Sequence, residues 1–265
     1  MNKKTIQSVF LGMVLLLMYL PILLLVVYSF MDSAIIGRSG SFTVKNYVYL
    51  FHSEDLRSMI FGTLILAVVV AVISTILGTL GAIGAFYSSK KLKRPIHLMN
   101  QIPVVNADVV TGFSICVLLI VFFKMDKASY IPLVIGLVSL CSPFVYLSVI
   151  PRLKQMDPQL YEAALDLGCS PFGALRKVVL PQLTSGIVSG FMMSITLTLD
   201  DYFITTYTKP SMFDTISTYV VNATKGAQTD VKTALWALST IIFLIVIFVV
   251  IGMNHTGRKE NDHEI

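Results

Sequence analysis

The chain has 265 residues, of which 55% are hydrophobic and only 13% charged, and its mean hydropathy is +0.78. So little charge cannot clothe a water-soluble domain, and a lipid bilayer must be the solvent for much of the surface. In such a protein the net charge of +5 points to basic cytoplasmic loops, not to nucleic acid.

Six apolar stretches reach the roughly 20 residues that a helix needs to cross the hydrocarbon: residues 9–31, 60–87, 102–123, 131–150, 183–204 and 234–253. They are continuously apolar, not alternating, so helices fit them and strands of a barrel do not. An all-α membrane protein with six transmembrane helices in a single domain, 1–265, follows, with both termini on one side. Lys3 and Lys4 ahead of the first stretch imitate a secretory signal, but its length is that of a full span, so it reads as an uncleaved first helix. Pro21 and Pro143 fall inside spans and predict kinks. The second stretch carries Gly78/Ala82 and Gly81/Ala85, and the fifth carries Ser185/Ser189 and Gly186/Gly190. Four-residue spacing puts each pair on one helix face, where small side chains permit close approach of a neighbouring helix in the same bundle or in a partner subunit.

Lys90, Lys91, Lys93 and Arg94 crowd the short loop after the second span. Short loops obey the positive-inside rule best, so that loop and both termini are expected in the cytoplasm. The third span contains Asp108, about two turns in from that face. Cys116, Cys141 and Cys169 lie far apart, two of them inside apolar runs, and show no metal-ligand or disulfide spacing, so buried, unpaired thiols are expected. The fifth span ends on Asp200, Asp201 and Tyr202 near its external end. Ionisable residues in spans are expensive, which makes Asp108, Asp200 and Asp201 candidates for a solute path, with Tyr202 and Phe203 able to face a cation. The plainer alternative places Asp200 and Asp201 at the external interface and bonds Asp108 to a neighbouring helix.

Between the fourth and fifth spans lies a polar, patterned loop, residues 157–181. Asp157-Pro158 is a helix start, Glu162 suits the positive end of the helix, and Gly168 stands where chains leave a helix through a left-handed residue. Ser170-Pro171 repeats the start signal, and Arg176 and Lys177 precede a stop at Pro181. Two short helices bent at a glycine are expected beneath the membrane.

Glu162-Ala163-Ala164, then Gly168, then Val178, Leu180 and Pro181 resemble the EAA loop of permease subunits in binding-protein-dependent ABC importers. The family commonly has isoleucine where this chain has Val178, a conservative departure. The resemblance implies a type I importer bundle whose loop, through Glu162, Ala163, Ala164, Gly168, Leu180 and Pro181, acts as a coupling helix on a cytosolic ATPase. Further stretches resemble the permeases of spermidine/putrescine importers: Tyr19-Leu20-Pro21-Ile22, Tyr28-Ser29-Phe30, Asp108-Val109-Val110, Pro143-Phe144-Val145 and Leu199-Asp200-Asp201. Ala107 stands where many relatives have proline. The implied assembly sits in a bacterial inner membrane and contains a second, related permease chain, two copies of the ATPase and an extracytoplasmic polyamine-binding protein. ATP and magnesium would belong to the ATPase, because this chain has no phosphate-binding glycine loop and no catalytic constellation. Permeases for sulfate, iron or another small solute share parts of these stretches. A secondary transporter driven by ion gradients would need an internal repeat, which the two halves do not display.

Overall fold

Helix is the regular structure throughout the described residues, apart from one isolated antiparallel bridge between Met31 and Phe42. The computed structural model describes residues 3–32, 40–106, 108–157, 159–225, 233–241 and 243–244. Among them, Gln7–Ser29 within helix α1 (Lys3–Ser29), α3 (Glu54–Tyr87) and α6 (Ile131–Gln155) are each long and apolar enough to cross a membrane. These are the predicted first, second and fourth spans, and helix continues through Pro21 and Pro143.

The predicted third span is not one rod. Helix α4 (Lys90–Val105) ends before α5 (Asp108–Cys116), which runs on through a π-helical stretch to Phe122, and the two parts meet at 104°. Asn106 leaves the helix in extended conformation and its side-chain amide donates to Thr111 Oγ1 at 3.0 Å. An Asn stop followed by an Asp start overrides the apolar run on either side. Asp108 therefore opens α5 and does not lie in the second turn of a span; Ala107 lies outside the described residues. The predicted fifth span is α10 (Thr184–Asp200), followed after a break by α11 (Phe203–Thr208). Of the predicted sixth span, residues 234–241 and 243–244 are described and helical, and the rest lies outside the described residues.

The chain forms two compact units, residues 1–58 with 220–265, and residues 59–219. In the first, the free carbonyls at the end of α1 are met from α2 (Lys45–His52): Asn46 Nδ2 donates to Ser29 O at 2.8 Å and to Met31 O at 3.0 Å. Ser29 Oγ and Tyr47 Oη lie 2.8 Å apart, and Phe30 stacks on Phe42, so the chain leaves α1 in a fixed direction.

In the second unit α6 is the inner rod, with buried residues on nearly every turn. A Cβ placed on Gly78 of α3 would stand 2.6 Å from Val145 Cβ, and one on Gly190 of α10 would stand 3.0 Å from Val145 Cγ1. Two helices thus close on one valine through glycines, which is how membrane helices gain packing where apolar burial offers little. Ala82, Ala85, Val149, Leu153, Val179 and Leu183 extend this core towards the loop after α6. The Gly78/Ala82 and Gly186/Gly190 faces are therefore packed within the chain, whereas Ser185 and Ser189 are exposed.

Candidate functional site

The loop after α6 forms as its local signals dictate. Asp157 Oδ1 accepts from Gln159 N at 2.9 Å and starts α7 (Gln159–Asp166), with Glu162 in the first turn; Pro158 lies outside the described residues. At the other end Gly168 has φ +84°, Gly168 N donates to Leu165 O at 2.9 Å and Cys169 N to Ala164 O at 3.0 Å. This pair of bonds is the Schellman closure, which needs a left-handed residue at the position Gly168 occupies. A Cβ there would meet nothing within 4 Å, so conformation and not space demands the glycine.

Ser170 then caps α8 (Pro171–Ala174), its Oγ accepting from Gly173 N at 3.2 Å. The rod continues through a π-helical turn, Leu175–Val179, into α9 (Leu180–Gln182). Pro181 has no N–H for the carbonyl four residues back, and the widened turn before it accommodates that loss. The rod reaches Gln182, one residue past the expected stop, and α10 leaves it at 71°.

Orientation of α7 separates the two alanines of the loop. Ala163 is exposed, but Ala164 is buried, and on the same helix the Tyr161 ring meets that of Tyr87 in a tilted contact with centroids 4.9 Å apart. The outward surface is instead built from Leu160, Glu162 and Ala163, with Leu167 87% and Phe172 74% exposed on either side of Gly168. Leu160, Leu167 and Phe172 were missed from sequence, because the loop also carries Leu165, Leu175, Val178, Val179 and Leu180 and no local signal separates the outward residues from the inward ones.

At the far end of α10, roughly 25 Å away at 1.5 Å per residue, the carboxylates behave differently from one another. Asp200 is exposed, whereas Asp201 is 8% exposed and fully engaged. Asp201 Oδ2 accepts from Thr205 N at 2.7 Å and Thr205 Oγ1 at 2.8 Å, and Oδ1 accepts from Ile204 N at 3.4 Å. It caps α11, and its own carbonyl accepts from Ser217 Oγ. Tyr202, the next residue, is half-buried. Asp108 is exposed at the start of α5, and Gly112, one turn on and on the same face, would place a Cβ 3.1 Å from the backbone of Ile204. The structure thus brings the element carrying Asp108 against the element that follows Asp200 and Asp201.

Sequence reasoning missed a further polar cluster in the turn between α11 and α12 (Ile216–Lys225). Lys209 Nζ pairs with Asp214 Oδ1 at 2.8 Å and donates to Phe213 O at 2.8 Å, and Thr218 Oγ1 donates to the same Asp214 oxygen at 3.2 Å. Ile216 N donates to Thr63 Oγ1 at 3.2 Å, pinning this turn to α3. No group of three or more His, Cys, Asp or Glu among the described residues could hold a metal ion.

A profile of the family described as binding-protein-dependent transport system inner membrane component matches residues 74–257. The chain belongs to that family. The matched segment contains the inner rod α6, the loop with its Schellman turn, and α10. This permease is 28% identical over 245 residues, 92% of its own length and 90% of the other, to the spermidine/putrescine transport system permease protein PotC of Escherichia coli K12. It is 29% identical over 238 residues to the putrescine transport system permease protein PotI of the same organism, covering 85% and 81% of the two chains. In fold it is similar to a chain of a bacterial alginate ABC transporter crystallised with its alginate pentasaccharide-bound periplasmic protein, at a TM-score of 0.70, 17% identity and coverage of 92% and 91%. The all-helical permease therefore has the fold of an ABC importer subunit in a multi-pass membrane protein.

Proposed function

We propose that this permease passes polyamines, spermidine and putrescine, inward across a bacterial inner membrane as one transmembrane domain of an ATP-driven importer. It pairs with a second, related permease chain and two copies of a cytosolic ABC ATPase, and an extracytoplasmic polyamine-binding protein delivers the cargo. ATP and magnesium are bound by the ATPase and no cofactor by this chain. The observation that carries the cargo is the likeness to PotC over 92% of the chain. Both termini and the 157–182 loop face the cytoplasm; a single cysteine at Lys91, in a background lacking the native thiols, stays shielded from external impermeant thiol reagents while one at Ser41 reacts. Reverse labelling would turn the topology over.

Coupling follows from the loop's shape. The exposed Leu160, Glu162, Ala163, Leu167 and Phe172 form the surface that docks the ATPase, with Ala164 fixing α7 from beneath. When the ATPases close they push α7, and the rod from Pro171 through Leu180 and Pro181 to Gln182 transmits the push to α10 and, through Val145, to α6. The far end of α10 carries Asp200, Asp201 and Tyr202, beside the element holding Asp108. Carboxylates there replace part of the hydration a polyamine sheds, with the tyrosine offering its ring face.

Bonding geometry divides the labour between the two acids. Asp200→Asn lowers uptake at limiting polyamine several-fold while the thermal stability of the purified assembly is unchanged, because the side chain is exposed and uncommitted to a cap. Asp201→Ala lowers stability by about 1–2 kcal/mol, as loss of a helix cap does, and lowers uptake in consequence. Wild-type uptake by Asp200→Asn would take Asp200 off the path.

A further inference from the structure

The second unit has an open cleft of about 440 Å³ where α3 finishes and α4 begins. Its lining combines Lys93 and Arg94 of α4 and Lys154 of the last turn of α6 with the apolar Ala85, Phe86 and Ile150. The three long cations are exposed. Among the described residues the ion pair found is Lys209–Asp214, so none of these three meets a carboxylate there. Lys93 Nζ instead lies 5.2 Å from the Phe86 ring centroid, a weak cation–π contact that leaves its charge available.

Apolar surface adjoins the charge. Arg94, Leu98 and Ile102 recur every four residues and share one face of α4, and Leu98 and Ile102 are 54% and 62% exposed. Ala85 and Ile150 belong to the core at the ends of membrane-length helices. A ligand that fits must therefore carry an anion at one end and hydrocarbon at the other, and it meets this cleft where spans leave the bilayer.

We propose that the cleft binds the phosphate headgroup of an anionic phospholipid, with an acyl chain along Leu98 and Ile102. The lipid belongs to the leaflet that the topology above makes cytoplasmic, an assignment that rests on that reading. Basic pockets between helices at the cytoplasmic surface take such headgroups through charge, and each cation near an anionic surface contributes about a fivefold gain. The site also adjoins the coupling loop: Phe86 meets the Tyr87 ring at 5.2 Å, and Tyr87 meets Tyr161 of α7 at 4.9 Å.

Native mass spectrometry of the full assembly in mild detergent, titrated with equimolar phosphatidylglycerol and phosphatidylcholine, tests the proposal. Orientation plays no part in detergent, so the site and the topology can fail separately. Wild type retains phosphatidylglycerol in preference to phosphatidylcholine, and Lys93→Gln with Arg94→Gln and Lys154→Gln weakens that preference by about a hundredfold. The triple variant Lys93→Arg, Arg94→Lys, Lys154→Arg keeps it, which separates charge from mere disturbance of the fold. Three results would overturn the proposal: equal retention by the glutamine variant, full displacement of the lipid by millimolar inorganic phosphate, or zero-length cross-linking of Lys154 to a carboxylate of another subunit. The second would make the ligand a soluble anion, and the third would make the cleft a subunit contact.

Discussion

Gly168→Val should insert normally yet lose ATP-driven uptake, with weakened ATPase binding or ATPase activity no longer stimulated by loaded binding protein. The glycine sits at φ +84° with open space around the missing Cβ, so the substitution meets no clash and acts through the backbone alone. A β-branched residue in the left-handed region is strained by about 1–3 kcal/mol. At about 1.4 kcal/mol per tenfold, relieving that strain depopulates the Schellman turn by a factor of roughly 5 to 140. Leu167 and Phe172, exposed on either side of the turn, then no longer present one surface. Gly168→Asn is the control, because asparagine tolerates the left-handed region far better, and it should retain most of the uptake. Uptake assayed with ATPase stimulation by loaded binding protein reads both variants. Equal loss in the asparagine and valine variants would place the defect elsewhere than backbone strain, and wild-type coupling by Gly168→Val would remove the loop from the coupling path.

The second large effect is expected in the bundle. Gly78→Ala adds a methyl 2.6 Å from Val145 Cβ and 2.8 Å from Ser142 O, so α3 must move off α6. Overpacking of this kind costs about 1–3 kcal/mol, and here the obstacle on one side is backbone, which cannot swing away. Val145→Ala removes Val145 Cγ1, 2.8 Å from the added methyl, and leaves Val145 Cβ and Ser142 O in place, so it relieves part of the obstacle. The double variant should therefore be less destabilised than the two single changes added together, with a coupling of about 0.5–2 kcal/mol in thermal unfolding of the purified assembly. Strict additivity would mean that the two helices do not approach each other at this valine.

The helix starts and stops of the loop could be read because each depends on two or three neighbouring residues. Asp157, Ser170-Pro171 and Gly168 act within their own turn, and the structure places caps and closure at those positions. Which alanine faces outward could not be read, since Tyr161 and its partner Tyr87 are separated by the whole of α4, α5 and α6. The break at Asn106 was hidden for another reason: apolar residues on both sides of a short stop make one continuous hydropathy peak. Asp201 illustrates the limit most clearly. Its bonds to Ile204 and Thr205 exist only because α10 ends there, and an unbroken span through residue 204 would have left it a bare acid in the membrane.

The path proposed above, from the 157–182 loop to Asp200 and Tyr202, links the energy source and the cargo through this chain. The direct measurement is labelled spermidine uptake into proteoliposomes containing this permease, its partner permease and the ATPase, with polyamine-binding protein outside and ATP inside. Uptake that requires enclosed ATP, survives collapse of the proton and sodium gradients, and disappears with Gly168→Val is the predicted result. Uptake that proceeds without ATP and stops when those gradients are collapsed would contradict the account.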